Sequence, residues 1–276
     1  AIGLCAAVPT QTDADAVVAV FTADHVIEPI DCFQAIVNLG YELVERRPEA
    51  LVTFGITPTG PATGYGYLEL GDPLGETARR LKRFREKPKP EPAEEYYRAG
   101  PERFLWNSGM LVYRAETLLE AIRRHAPDDH QRLMQIAKAW HTPRRDEVLD
   151  SVYPTMTKTS IEYAVFEPAS LDPAVTFAAI PMPVDWLDVG SWNSLGMICR
   201  RDGDGNVFAA PRAEFMDSRN TLAASSDSNH LIAAIGCDDL VIVHTPDATL
   251  VCRADKVEAI KELHRLIAER WGGEYV

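Results

Sequence analysis

A short, continuous apolar run, AVVAVF at 16–21, and a second run of similar pattern, LVTFGI at 51–56, flank a segment where Phe33, Ile36, Val37, Leu43 and Val44 recur at helical spacing. Valine-rich runs without polar alternation suit strands buried on both faces of a parallel sheet, and the 3.6-residue period suits a helix lying across it. Asp31 is placed to cap that helix, and Pro48 follows its end. Strand, helix and strand in about forty residues make a βαβ unit, so the pattern predicts an α/β fold with a Rossmann-like, mainly parallel sheet flanked by helices.

The pattern continues with a turn-rich loop at 58–66 leading into YLEL, then a basic strand at 79–85 that ends in Glu86-Lys87-Pro88. Pro90 and Pro92 separate it from a short helix near 94–98, MLVYR at 110–114 reads as a strand, and helices are expected at 116–125, 128–140 and 191–200. The turn cluster Asp202-Gly203-Asp204-Gly205-Asn206 marks a domain boundary, giving a larger domain at 1–202 and a smaller one at 203–276. The smaller one is β-rich, with LIAAI, a DLVIVHT/ATLVCRA hairpin and an irregular rhythm of β-solenoid type, and it ends in a helix capped by Asp255.

Composition narrows the field. A chain of 276 residues, 46% hydrophobic and 25% charged, is ordinary for a folded globular protein, and its net charge of −13 disfavours a nucleic-acid groove or an anionic membrane as partner. No apolar run approaches the roughly 18 residues of a membrane span. The five cysteines are scattered, without a CxxC pair, which predicts reduced, buried thiols and a cytoplasmic protein. Motifs of serine hydrolases, zincins, P-loop enzymes and dinucleotide oxidoreductases are absent.

Five polar constellations could carry chemistry. Asp24, followed by His25, falls at a strand end, where a carboxylate suits either a loop cap or a ligand for Mg²⁺. Asp188, in VDWLDVGSW at 184–192, suits either the cap of the next helix or a second carboxylate on the same ion. Lys87, fixed before Pro88, can neutralise a phosphate, and Glu86 can accept from sugar hydroxyls. Asn107 offers both donor and acceptor to a sugar or simply closes a turn. Glu162, behind a capping Ser160, either contacts ligand or answers the helix dipole.

Together these segments resemble the sugar-1-phosphate nucleotidyltransferases, with the guanylyl branch that handles mannose favoured. The matching stretches are TADHVI at 22–27, FGITPTGPATGYGYLELG at 54–71, FREKP at 84–88, FLWNSGMLVYR at 104–114, SIEYAVFE at 160–167 and VDWLDVGSW; DGN at 204–206 and DLVIVHTPDATLV at 239–251 match the C-terminal β region. The resemblance implies attack of the mannose 1-phosphate oxygen on the α-phosphorus of GTP, giving GDP-mannose and pyrophosphate. It implies Mg²⁺ held by Asp24 and Asp188, the sugar phosphate bound by Lys87, and mannose oriented by Gly64, Tyr65, Gly66, Glu86, Asn107 and Glu162. A homodimer is an expected assembly.

One family signature, the glycine-rich nucleotide loop of pattern GxGTRLWP, has no counterpart between Ala1 and Val276. The expectation is that the catalytic domain is N-terminally incomplete by two strand–helix units, roughly 60–90 residues. The alternatives to a guanylyltransferase are a non-catalytic, sugar-nucleotide-binding regulatory homologue or a nucleotidyltransferase for another sugar 1-phosphate.

Overall fold

The run at 50–56 becomes the centre of the structure because each of its residues is buried. The computed structural model describes residues 1–275, and they pack as two compact units: Ala1–Ala23 with Ile27–Trp186, and Asp24–Val26 with the chain from Leu187 onward. The helix after Gly190 shares its apolar contacts with the C-terminal strands and so packs with the second of these units.

Through Asp188 the elements are α1 (Ile2–Ala7), β1 (Val17–Val20), β2 (His25–Glu28), α2 (Ile30–Arg46), β3 (Ala50–Ile56), β4 (Tyr67–Pro73) and β5 (Arg79–Arg85). They continue with α3 (Pro90–Ala99), β6 (Phe104–Arg114), α4 (Ala115–His125), α5 (Pro127–Ala139), α6 (Arg145–Val152), α7 (Glu167–Leu171), β7 (Thr176–Pro181) and β8 (Asp185–Asp188). Six strands form one sheet in the order β1-β6-β3-β7-β5-β4, with β4 also against β6, and β2 and β8 form a separate ribbon.

The α/β class stands, but the sheet is mixed rather than mainly parallel: β3 and β7 run parallel, while β1–β6, β3–β6, β4–β5, β4–β6 and β5–β7 are antiparallel. An apolar run records burial and carries no strand direction. The first run also differs from expectation. Among the described residues β1 is an edge strand, with Val17 and Phe21 exposed, so it is not buried on both faces.

Alternate residues of β3 serve opposite faces of the sheet. Leu51 joins Leu68, Phe84, Tyr113, Leu118 and Phe177 on one side, while Val52 and Phe54 join Val44, Tyr67, Trp106 and Val112 on the other. Gly40 of α2 lies over Phe54, whose Cζ would stand 2.7 Å from an added Cβ. Gly40→Ala therefore sets a helix-propensity gain of about 1 kcal/mol against an overpacking cost of about 1–3 kcal/mol. The expected result is a net loss of about 1 kcal/mol in urea unfolding; a stabilised variant would show that Phe54 yields freely.

Several local expectations shift by a residue or a role. Asp31 lies inside the first turn of α2, where its carboxylate accepts from the Cys32 N–H, while Pro29 is the cap residue. Pro90 occupies the first turn of α3 instead of breaking the chain before it, as proline's fixed φ and missing donor allow. The cysteines were expected to be buried, but none is; Cys5 is exposed and the others are half-buried.

The second unit contains α8 (Trp192–Ile198), β9 (Arg200–Arg201), β10 (Val207–Ala209), β11 (Ala213–Met216), β12 (Leu222–Ser225), β13 (Ile232–Ile235), β14 (Leu240–His244), β15 (Thr249–Arg253) and α9 (Ile260–Trp271). β10, β12 and β14 run parallel in one sheet and β11 and β13 in another, so successive strands alternate between two walls as stacked coils. Val207, Leu222 and Val241 stand in register inside, and the expected hairpin is β14–β15. The corners rest on buried Asn206, whose amide donates to Ser218 O and to Asp202, and whose side-chain oxygen accepts from Thr221 N–H. Asp255 does not cap α9; it lies in a preceding 3₁₀ turn and accepts from Arg253.

Candidate active site

The sequence-selected residues fall into two clusters, one in each unit. In the second unit Asp24 stands immediately before β2 and Asp188 ends β8, and the Val189 N–H donates to Asp24 O at 2.9 Å. Ligand atoms of Asp24, His25 and Asp188 all lie within 4.8 Å of one another. Asp188 is not the cap of the next helix: Ser191 caps α8 in a reciprocal capping box with Ser194. Capping therefore leaves the position of Asp188 unexplained. Gly190 makes room for it, since an added Cβ would sit 2.9 Å from Asp188 Oδ1. Burial pushes the His25 imidazole below its usual pKa, and the charges of Asp188 and Asp24 pull it partly back. Two hard carboxylates and an imidazole at this spacing fit a divalent cation, with positions left for other oxygens.

The first unit holds the remaining residues and brings Gly66, Glu86, Lys87 and Asn107 together. Glu86, at the end of β5, has a side chain only 9% exposed and lies 3.4 Å from the Lys87 ammonium, which is mostly exposed. Its N–H donates to Glu167 at 2.8 Å, and Lys87 holds φ at +40°, a left-handed conformation that is costly for a non-glycine residue. Gly66 admits the Glu86 carboxylate and the Asn107 side chain, which would lie 2.6 and 3.3 Å from an added Cβ. Its carbonyl accepts from the Asn107 N–H at 2.8 Å. Asn107 lies inside β6 instead of closing a turn before it, and its Oδ1 accepts from the buried Thr53 hydroxyl at 2.9 Å. Tyr65 packs edge-on against both Trp106 and Trp186, with centroids 5.1 and 5.0 Å away, whereas Gly64 borders open space. Glu162 opens a π-helical turn at Glu162–Phe166 without a side-chain cap from Ser160.

Burial raises the Glu86 pKa, the charges of Glu162 and Glu167 add to the rise, and Lys87 opposes it. A carboxyl raised in the folded state contributes stability that is present below its unfolded pKa and lost as pH rises through the folded value. Glu86→Gln is thus expected to stabilise the fold toward urea at pH 7.5, with the difference from wild type vanishing near pH 4. A variant equally shifted at both pH values would contradict a buried, charge-disfavoured carboxyl.

Sequence reasoning passed over Thr53, Glu167 and the third donor His25, because each becomes informative only through a contact distant in the chain or around a corner. The tryptophans flanking Tyr65 were visible as residues but not as a wall.

A nucleotidyl transferase family model matches residues 1–203. The chain belongs to the nucleotidyl transferase family. A model of the MannoseP isomerase/GMP-like beta-helix domain matches residues 215–266, over the stacked coils of the second unit. The xanthan biosynthesis protein XanB of Xanthomonas campestris pv. campestris (strain B100) is 35% identical over 290 residues, covering 99% of this chain and 58% of that protein. A mannose-1-phosphate guanylyltransferase of Klebsiella pneumoniae is 32% identical, covering 100% of this chain and 57% of that protein. Among solved structures, one described as mannose-1-phosphate geranyltransferase from Thermus thermophilus superposes with a TM-score of 0.75 at 25% identity, over 96% of this chain and 73% of that one. The chain thus spans somewhat over half the length of these two curated relatives. Nucleotidyl transferases generally use a divalent metal, and the Asp24–His25–Asp188 cluster is able to hold one. Among the described residues no helix is long and apolar enough to cross a membrane.

Proposed function

We propose that this chain carries the metal-binding and sugar-binding residues of a mannose-1-phosphate guanylyltransferase, which transfers GMP from GTP to mannose 1-phosphate in the cytoplasm and releases pyrophosphate. The supporting observation is that Asp24 meets Asp188 and that Glu86 and Asn107 meet at Gly66, in a chain similar over nearly its whole length to proteins bearing that name. In this reading Asp24 and Asp188 hold Mg²⁺, which when bound neutralises charge on the phosphates. Lys87 binds the sugar phosphate as a point charge beside Glu86. Glu86, Asn107 and Glu162, with the backbone of Gly64, Tyr65 and Gly66, orient mannose so that its phosphate oxygen faces the α-phosphorus of GTP.

A phosphoryl oxygen attacks phosphorus and the bond to pyrophosphate breaks, so no covalent protein intermediate is required; positioning and charge neutralisation supply the rate. The test is pyrophosphate release by the full-length protein with four nucleoside triphosphates against the 1-phosphates of mannose, glucose and N-acetylglucosamine. Highest kcat/KM for GTP with mannose 1-phosphate is expected. Preference for another pair would overturn the substrate assignment, and we take a homodimer as the working assembly for that assay.

A further inference from the structure

Neighbouring residues of a strand point to opposite faces, yet the side chains of Asp24 and His25 converge. They do so because Asp24 lies just outside β2 while His25 is its first residue, which turns both side chains toward Asp188. His25 Nε2 is 3.9 Å from Asp24 Oδ1, and the three ligand atoms lie within 4.8 Å of one another. Donors sharing one divalent ion at about 2.0–2.2 Å stand roughly 3–4 Å apart, so a movement of about an ångström completes the set. The His25 side chain is 6% exposed and fixed in place, while that of Asp24 is 61% exposed and free to make the adjustment.

We propose that His25 is a third protein ligand of the divalent cation, so that the site binds Mn²⁺ and Co²⁺ more tightly than Mg²⁺. The proposal rests on the reading of Asp24 and Asp188 as the carboxylates of that cation. Its chemistry follows from the donor set: Mg²⁺ is a hard ion that takes oxygens and retains waters, whereas imidazole nitrogen suits first-row transition ions. Two carboxylates alone already favour Mn²⁺ somewhat, since Mg²⁺ gives up its waters reluctantly, and the gap should widen where nitrogen joins them. The part of the preference owed to the nitrogen is the part that His25→Ala removes.

The experiment is Mn²⁺ binding by the full chain, followed by electron paramagnetic resonance, with Mg²⁺ as competitor and without nucleotide or sugar. Wild type is expected to bind Mn²⁺ at least about tenfold more tightly than Mg²⁺, and its spin-echo decay to show modulation from one imidazole ¹⁴N. His25→Ala should weaken Mn²⁺ by about 10–100-fold, the range that even outer-shell partners command, while changing Mg²⁺ affinity by less than about threefold, and the ¹⁴N signal should disappear. Absence of that signal in Mn²⁺-loaded wild type overturns the proposal even if the variant fails to fold, and undiminished Mn²⁺ affinity in a folded His25→Ala overturns it equally. Failure of wild type to bind either ion is a separate outcome, which removes the carboxylate reading itself.

Discussion

Asp188→Asn is expected to lower pyrophosphate release by on the order of 10³-fold or more, since metal stabilisation of developing charge is worth several kcal/mol and each 1.36 kcal/mol is tenfold in rate. Loss of activity alone would also follow from a damaged fold, so the stability of the variant matters more than its rate. Asp188 faces Asp24 and His25 within 4.8 Å, and the neighbouring cap is made by Ser191, so removing its charge relieves repulsion without breaking a cap. The metal-free variant should melt at or above the temperature of metal-free wild type. Wild type, by contrast, should gain stability with added divalent ion, about 2.7 kcal/mol at a hundred times its dissociation constant, and Asp188→Asn should gain almost none. A variant that melts lower without metal, or retains the metal-dependent gain, would remove Asp188 from the cation site.

The same residue shows where sequence reading reached its limit. Aspartate before a glycine turn and a helix fits both a cap and a ligand, and separation came from a neighbour, because the capping box is made by Ser191 and Ser194. The central strand and the helices at Ala115–His125 and Pro127–Ala139 were legible because apolar period and burial agree there. Strand direction was not legible, as a buried run reads alike in either sense, and β7 escaped notice although it supplies the parallel partner of β3. The coils of the second unit defeated a fixed-period search, since Val207, Leu222 and Val241 stack in register at unequal chain spacing. Glu86 and Asn107 were chosen for chemistry alone; that both crowd Gly66 required the fold.

That crowding makes Gly66→Ala the sharpest probe of the sugar-side cluster. The new Cβ would meet Glu86 Oε2 at 2.6 Å, Phe84 Cζ at 3.1 Å and Asn107 Cβ at 3.3 Å. Phe84 is 1% exposed in the core and cannot retreat, and the Asn107 N–H is bonded to Gly66 O, so the Glu86 carboxylate must give way. It would lose its place beside Lys87, from which it currently stands 3.4 Å. A charged hydrogen bond contributes about 1.5–3 kcal/mol, which converts to roughly a 10- to 150-fold weaker dissociation constant for mannose 1-phosphate, measurable by calorimetry on the full chain. Glu86→Ala should weaken binding by a similar factor. If displacement of Glu86 is the whole cause, then Gly66→Ala should cost little further in a Glu86→Ala background, a non-additivity expected of residues in direct contact. Fully additive losses would locate the damage elsewhere, and undiminished affinity in Gly66→Ala would mean that the Glu86 carboxylate is not held for the sugar at all.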